Sequence, residues 1–329
     1  MFYKNLLIFL RKIYKICYAN SKITQFRNNY ILCNKVVTNN EKGSKILYNY
    51  LKNNKPCLIT RFGRHEINIL LNYCGINNKK FNSFDFIRGK IYENWWHPNK
   101  CKFLKNNAGF YPTDSQSLKK FSQLYIKHMN HIDVLSVFTS NPEPENFFRK
   151  KLNHTVKINL ESLSIFSSKF AWTKALKNKK VLIISPFTDT IKKQFIKKNK
   201  IFKDKRVPNF KLKTLKSVVS LGGINSEFKN WFEALDFMKS KIKKIDFDIA
   251  IIGCGAYGYP LAAYVKEIGK IGFHIGGELQ TIFGILGKRF ENPKHKNGMY
   301  LKFINKHWTR PSKEERPKFF KNIEGGAYW

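Results

Sequence analysis

The sequence predicts an α/β protein of Rossmann-like type, with a mostly parallel sheet and helices on both faces. Three stretches carry this prediction, at residues 55–73, 180–198 and 247–277. Each reads as a short apolar strand, a turn, and a helix with apolar residues three or four apart. Strands that alternate with helices in this way are typical of parallel sheets, because a crossover helix returns the chain to the starting edge.

The clearest unit is residues 247–277, with the sequence FDIAIIGCGAYGYPLAAYVKEIGKIGFHIGG. Residues 248–252 are predicted as a buried strand, 261–268 as a helix and 271–275 as a second strand. The turn between the first strand and the helix has the pattern G-x-G-x-x-G, formed by Gly253, Gly255 and Gly258, with Tyr257 inside it. Glycine turns let backbone amides approach a phosphate, and the helix that follows adds a favourable dipole. We therefore expect these four residues to bind a diphosphate.

A nicotinamide-dependent oxidoreductase is one alternative for this loop. Such enzymes place an acidic residue after the second strand to hold the adenosine ribose. Here His274 lies at that strand end, before Gly276 and Gly277. A nucleotide sugar needs the same phosphate contacts without that carboxylate and fits better, with Gly276, Gly277 and Gln280 as further contacts and His274 as donor or base. A second alternative is that the glycines of this loop bind no ligand and serve only the close packing of strand and helix.

The unit at residues 55–73 places a charged cluster between a strand at 57–60 and a helix at 66–73. The cluster is Arg61, Arg64, His65 and Glu66, with Gly63 among them. Open α/β sheets bind ligands at such strand ends. Arg61 suits a diphosphate because a guanidinium makes paired hydrogen bonds. Glu66 could bind a metal or act as a base; alternatively, it only stabilises the helix dipole.

The remaining chain supplies further strands, helices and one break. After the strand at 181–184, Ser185 is expected to cap the helix at 190–198 or to contact a phosphate. The aromatic segment around Asn107 is expected to stack on a sugar or base ring, or else to pack on the core. We predict strands at 133–138, 156–160 and 212–220, helices at 118–129, 167–176, 226–243 and 278–286, and a break at 140–144.

These elements divide the chain into three parts. Residues 1–50 form an amphipathic helix and an extension. Residues 51–290 form the α/β catalytic domain, with a sub-boundary near 140–155. Residues 291–329 form a tail packed on that domain, across the ligand cleft, because two glycines and two aromatic residues near its end are unusual in a frayed segment.

The formal net charge is +39, from 61 Lys and Arg against 22 Asp and Glu. This charge favours an anionic partner, but the lysines are spread through every segment, as AT-rich coding bias would produce. Zinc-finger and aromatic RNA-binding signatures are missing, so a specific nucleic acid is not expected. A basic polyanion-binding protein without catalysis is the third functional alternative; it predicts salt-dependent binding that survives Arg61→Ala and Gly255→Val.

Residues 1–18 project as an amphipathic helix. Its apolar face carries Phe2, Leu6, Phe9, Leu10, Ile13 and Cys17, and its basic face Lys4, Arg11, Lys12 and Lys15. Such a helix either binds an anionic membrane surface or docks on the protein's own core. The sequence has no apolar run long enough to span a bilayer, and no paired cysteine motif. We expect a cytoplasmic protein with reduced thiols, peripheral on the inner face of the cytoplasmic membrane if the helix binds there.

Two stretches together resemble a known family. Strand-Arg-Phe-Gly-x-x-Glu-helix at 61–66, and Asp-x-x-Ile-x-Gly-x-Gly-Ala followed by Gly-Lys and His-Ile-Gly at 248–276, resemble bacterial glycosyltransferases of the GT-D fold. By order the resemblance covers residues 56–287. It implies a nucleoside-diphosphate-sugar donor, a glycan or lipid-linked acceptor, surface-polysaccharide synthesis, and Mn²⁺ or Mg²⁺ held by an Asp-x-Glu motif. Arg64 stands at the Asp position and only Glu66 matches, so Arg64 could neutralise the leaving group instead.

Overall fold

The computed structural model describes residues 2–18, 35–140, 143–220, 226–318 and 320–329. In these residues one all-parallel sheet of eight strands confirms the predicted α/β fold class. The strands are β1 Val36–Val37, β2 Cys57–Arg61, β3 Val134–Val137, β4 Val156–Asn159, β5 Lys180–Ser185, β6 Lys211–Lys216, β7 Ile249–Ile252 and β8 Ile271–His274. Their order across the sheet is β1-β4-β3-β2-β8-β7-β5-β6.

The helices connect these strands or pack on them. They are α1 Phe2–Tyr18, α2 Asn40–Lys52, α3 Arg64–Ile76, α4 Ser83–Ile87, α5 Pro98–Phe103, α6 Ser115–His128, α7 Glu143–Phe147, α8 Thr188–Ile196, α9 Lys198–Ile201, α10 Trp231–Lys243, α11 Gly258–Glu267, α12 Leu279–Ile282 and α13 Lys288–Glu291. No helix in the described ranges is long and apolar enough to cross a membrane.

Two hydrophobic cores lie on opposite faces of the sheet. Successive strand residues alternate between them: in β7, Ala250 and Ile252 belong to one core, and Ile249 and Ile251 to the other. Helices α3, α6, α10 and α11 contribute to the first core; helices α2 and α8 and the tail contribute to the second. Burial on both faces explains why these strands read as continuous apolar runs in the sequence.

Several predicted boundaries were wrong for local reasons. Helix α3 begins at Arg64, two residues early, because Gly63 has the extended backbone of an N-cap. Helix α10 begins only at Trp231, where the side chain of Asn230 accepts hydrogen bonds from two backbone amides. The helix predicted at 278–286 ends at Ile282, and Gly284 has a positive φ of 62°. The helix predicted at 167–176 is a 3₁₀ segment over Trp172–Leu176 alone.

One continuous sheet extends across the predicted divisions of the chain. Strand β1 pairs with β4, and helix α2 packs on the second core through Leu47 and Leu51, so residues 36–52 belong to the α/β body. Strands β3 and β4 pair with each other across the break at 140–144, of which residues 141 and 142 lie outside the described ranges. The described cysteines, Cys17, Cys57, Cys74, Cys101 and Cys254, are free thiols; Cys33 lies outside the described residues.

Helix α11 crosses strand β8 at very short range. A Cβ atom added to Gly272 would overlap with the backbone carbonyl oxygen of Ala262. The backbones are this close because glycine and alanine face each other at the crossing. Strand β8 lies between β2 and β7, so the helix is held directly over the centre of the sheet.

Candidate functional site

The order of the strands changes direction between β5 and β7: β5 is followed by β6 on one side, and β7 is followed by β8 on the other. Strand β5 is followed by α8, which packs in the second core through Ile191, whereas β7 is followed by α11, which packs in the first through Leu261. Because the two connections leave toward opposite faces, a crevice opens at the carboxyl ends of these neighbouring strands. Open α/β sheets bind their ligands at such a point.

A cavity of about 370 Å³ lies at this edge of the sheet. The predicted site residues that line it are Arg61, Gly63, Arg64, Glu66, Asn107, Ser185, Gly253, Gly255, Tyr257, His274, Gly276, Gly277 and Gln280. Gly258 is not among the lining residues. The fold therefore brings the carboxyl ends of four strands, β2, β5, β7 and β8, to one cavity of a size common for small-molecule sites.

The glycines of the 253–258 loop allow close approach between parts of the chain itself. Gly255 has a φ of 60°, and a Cβ there would lie 2.8 Å from the carbonyl oxygen of Ala108. A Cβ on Gly253 would lie 2.7 Å from the Gly276 carbonyl oxygen, and one on Gly258 would overlap with the His274 ring. The packing role thus accounts for Gly258, while the backbone at Gly253 and Gly255 also faces the cavity.

Two tyrosines fix this loop in place. Tyr125 donates its hydroxyl to the carbonyl oxygen of Ala256 at 2.6 Å. The Tyr257 ring stacks on Trp231 with a centroid distance of 5.0 Å, and its hydroxyl bonds that of Ser220. The Tyr257 ring is thus stacked and buried within the protein.

Arg61 and Arg64 converge on one aromatic side chain. Their guanidinium carbons lie 5.4 and 4.6 Å from the centre of the Phe138 ring. Phe138 follows strand β3, so the two arginines lie next to the neighbouring strand end. A cation over an aromatic face is held by the ring's quadrupole and keeps donors for another partner.

The carboxylate of Glu66 folds back over the first turn of helix α3. A Cβ on Gly63 would overlap with it, and Glu66 is only 5% exposed. This position suits the expected interaction with the helix dipole. It also places a buried carboxylate in the wall of the cavity, in the same turn as Arg64.

His274 is buried and neutral. Its Nδ1 lies 3.1 Å from the backbone oxygen of Arg61, which can only accept, so Nδ1 carries the hydrogen. The unprotonated Nε2 lies against Gly258. Burial, followed by repulsion from Arg61, lowers the pKa of His274 from 6.5 to about 3. His274 therefore lines the cavity as a weak base.

The depressed pKa of His274 predicts a pH dependence of stability. Below about pH 6.5 the unfolded chain binds a proton at this residue that the folded protein excludes, so stability falls as the pH drops toward 3. The free energy of unfolding should fall by up to ~1.4 kcal/mol per pH unit more in the wild type than in His274→Asn. Urea unfolding at pH 7, 6, 5 and 4 measures this slope. A substitution of the exposed His154 by asparagine is the control, and equal slopes for wild type and His274→Asn would contradict the prediction.

The tail, which was expected to pack across the ligand cleft, supplies cavity residues that were not predicted individually as site residues. Tyr328, Trp329 and Glu324 line the cavity, and Gln280 donates to the Tyr328 carbonyl oxygen at 2.9 Å. Arg289 forms an ion pair with Glu324, and its guanidinium carbon lies 4.0 Å from the centre of the Tyr328 ring. Glu324 has a positive φ of 47° between Ile323 and two glycines that also have positive φ. The tail thus supplies the Glu324 carboxylate, which pairs with Arg289 in the cavity wall.

A buried charge network forms another part of the wall. Glu278 accepts from Lys296 and, at 2.6 Å, from the hydroxyl of Tyr300. Burial alone would raise the pKa of Glu278, but Lys296, the Tyr300 hydroxyl and His295 together hold the pKa below its usual value. With Arg61, Arg64 and Arg289, Lys296 gives the cavity four cationic side chains against the carboxylates of Glu66, Glu278 and Glu324.

Several buried polar atoms of this wall are unsatisfied by the described parts of the chain. They are Arg61 Nε, Ser217 Oγ, Glu278 Oε2, Gln280 Oε1 and Arg289 Nε. Buried polar atoms are nearly always hydrogen-bonded, and leaving one unpaired costs about 1–3 kcal/mol. All five belong to residues that line the cavity.

The first-turn amides of helix α8 donate to a side chain of the protein itself and not to a ligand in the cavity. Ser185 Oγ accepts from the backbone amide of Phe187 at 3.2 Å. The amides of Asp189 and Thr190 donate to Glu315 of the tail, at 2.8 and 3.2 Å. Ser185 is therefore not the cap that the sequence predicted, because a carboxylate from far along the chain satisfies the helix end.

The aromatic segments mainly form core. Phe110 and Tyr111 are buried in the first core, and Trp95 packs with Phe86 beneath helix α1. Because these rings are buried in the hydrophobic clusters, the geometry does not support their stacking on a sugar. Asn107 lines the cavity, where its side-chain nitrogen lies 3.2 Å from His65 Nε2.

Glu145 in helix α7 is a buried carboxyl that no sequence pattern singles out. It is 1% exposed, and burial raises its pKa to about 7, against the opposing attraction of Arg64 and Arg61. It follows the proline-rich break and shows no periodicity. Only the fold places it near the two arginines.

The part of the chain that the structure describes does not form a resident metal centre. Glu66 was the expected ligand, but no group of three or more His, Cys, Asp or Glu side chains that could hold a metal ion occurs within residues 2–18, 35–140, 143–220, 226–318 and 320–329. Cationic Arg64 stands two residues from it. The donor set of this cavity is therefore suited to an anion.

Comparisons with known proteins assign no relative. No family model, no curated protein and no solved structure matches this chain.

Proposed function

We propose that this protein is a glycosyltransferase that moves a sugar from a nucleoside-diphosphate donor to a glycan acceptor in surface-polysaccharide synthesis. The observation that carries the proposal is the convergence of arginines and unsatisfied polar atoms on one cavity at the carboxyl edge of a parallel sheet. The resemblance of residues 61–66 and 248–276 to GT-D glycosyltransferases points to the same chemistry.

The cationic wall suits the diphosphate. Arg61 and Arg64 approach from the β2 loop, and the backbone of Gly253 and Gly255 from the β7 loop. Arg289 is held by Glu324, and a phosphate could replace that carboxylate as its partner. Paired hydrogen bonds from guanidinium groups are strongest to phosphate and carboxylate oxygens.

The reaction needs a base and a stabilised leaving group. The acceptor hydroxyl loses its proton as its oxygen bonds the anomeric carbon, and the bond from that carbon to the phosphate oxygen breaks. The nucleoside diphosphate leaves with the electron pair, and Arg61 and Arg64 stabilise its charge. Glu66 takes the proton in this scheme, because its carboxylate lines the cavity, whereas the low pKa of His274 makes that side chain a weak base.

Incubation with a panel of nucleotide sugars tests the proposal, with and without Mn²⁺. Thermal shift and release of nucleoside diphosphate are the two measurements. We expect at least one sugar nucleotide to raise the melting temperature, and Arg61→Ala to remove most of this shift. Exposed Arg149, outside the cavity lining, provides the control Arg149→Ala.

Two results would overturn the proposal. One is no response to any sugar nucleotide in either measurement. The other is a response to NAD(P)H alone, which would favour the oxidoreductase.

A further inference from the structure

Helix α1 is attached to the protein by Leu7 and Ile8, which pack with Phe86 and Trp95, and by the basic side chains beside them. Arg11 donates to the carbonyl oxygen of Ile91 at 3.1 Å, and its guanidinium carbon lies 4.6 Å from the centre of the Phe86 ring. Lys4 lies over the Trp95 ring at 5.6 Å, and the Tyr3 hydroxyl bonds that of Ser83 at 2.7 Å. Leu7 is the one buried side chain of the helix.

The apolar side of α1 consequently faces outward. The large apolar side chains that are exposed on it are Phe2 at 83%, Ile16 at 67%, Phe9 at 58%, Ile13 at 41%, Leu6 at 41% and Leu10 at 37%. With 3.6 residues per turn, these six form one stripe that lies nearly opposite Arg11. The helix therefore docks on the protein, as one of the two alternatives expected, but through Leu7, Ile8 and basic side chains and not through this stripe.

An exposed stripe of this kind is costly in water unless something covers it. On the neighbouring helix α4, Phe84 is a further exposed aromatic, at 72%. Helix α1 has no acidic residue, and its Lys12 and Lys15 are exposed. Phenylalanine and leucine beside lysine are what an interfacial helix presents to acyl chains and headgroups.

The net positive charge of the chain indicates what covers the apolar stripe of α1. We infer that the apolar face of α1 lies in the surface of a membrane that contains anionic lipid. A second copy of this chain would also carry a net charge of +39 and be repelled, whereas anionic headgroups attract it. Helix α1 has 17 residues, about 26 Å in length at 1.5 Å per residue, and lies along the surface without crossing it.

Co-sedimentation of the full chain with vesicles tests this inference. One set contains phosphatidylcholine alone, and the other contains 30% phosphatidylglycerol. We expect strong binding to the anionic vesicles, and a loss of at least ~10-fold in the double variant Phe9→Asn and Ile13→Asn. The matched control is Ile196→Asn with Leu301→Asn, two exposed apolar residues outside this stripe, at 84% and 42%.

The variants separate insertion from simple charge attraction. Lys12→Gln with Lys15→Gln should weaken binding to the anionic vesicles and reduce its salt dependence. Equal binding by the wild type and the Phe9→Asn and Ile13→Asn variant would overturn the inference, since charge alone would then explain it. A wild-type dimer in light scattering that this variant converts to a monomer would assign the stripe to a second copy instead.

Discussion

Under the proposed function, replacement of Glu66 by glutamine is expected to slow sugar transfer by about 10²- to 10⁴-fold, the usual contribution of a general base. Glutamine keeps the size of the side chain over Gly63 but cannot accept the proton of an acceptor hydroxyl. Binding of the nucleoside diphosphate should change little, since the arginines remain. Single-turnover transfer rates and calorimetric titration with the diphosphate measure the two effects separately.

A purely structural Glu66 would give a different result. If the carboxylate only stabilised the start of helix α3, Glu66→Gln would lower the melting temperature and leave the transfer rate unchanged. Glu93→Gln is the matched control, because Glu93 is also a buried carboxylate, paired with Lys100 and away from the cavity. A comparable loss of rate in both variants would show that the effect is structural.

Replacement of Gly272 by alanine is expected to have the largest effect on stability, a loss of ~3 kcal/mol or more in the free energy of unfolding. The added methyl group would overlap with the Ala262 carbonyl, so helix α11 would have to move away from the sheet. Backbone atoms cannot rotate aside as a flexible side chain can. Urea unfolding of the purified variant measures the loss.

Gly269→Ala separates crowding from backbone strain. Gly269 has a φ of 79°, but a Cβ there would meet nothing within 4 Å. Its replacement should cost about 1–2 kcal/mol for the left-handed backbone alone. Both substitutions reduce the freedom of the unfolded chain equally, so this term cancels in the comparison. Equal losses in the two variants would contradict the close packing of α11 on β8.

Periodicity and topology were sufficient to predict the fold class and to bring most site residues together. The strands are apolar runs because both faces are buried, and the loops that follow them meet because parallel strands end at one edge. Arg61, Glu66, Gly253 and His274 could therefore be grouped from the sequence. Their individual roles could not, because the pKa of His274 and the packing of Gly258 depend on burial.

The rest of the site depends on long-range contacts that no local pattern encodes. Arg289, Lys296 and Glu324 lie in segments without regular periodicity, and their positions follow from how the tail packs. The same holds for Ser185, whose capping role is taken by Glu315, 130 residues further along the chain. Likewise, the composition of helix α1 defined its two faces but not which of them would meet the protein.

The hydrogen bonds of Glu315 link the tail to the interior of the second core. Its side chain accepts from the amides of Asp189 and Thr190, and its backbone oxygen accepts from the Trp329 indole at 3.4 Å. Departure of the tail would deprive these two helix amides of their acceptor, so we expect opening of the cavity to be coupled to fraying of α8. Amide hydrogen exchange at Asp189 and Thr190 then reports how often the cavity opens, and a bound ligand that holds the tail would slow it.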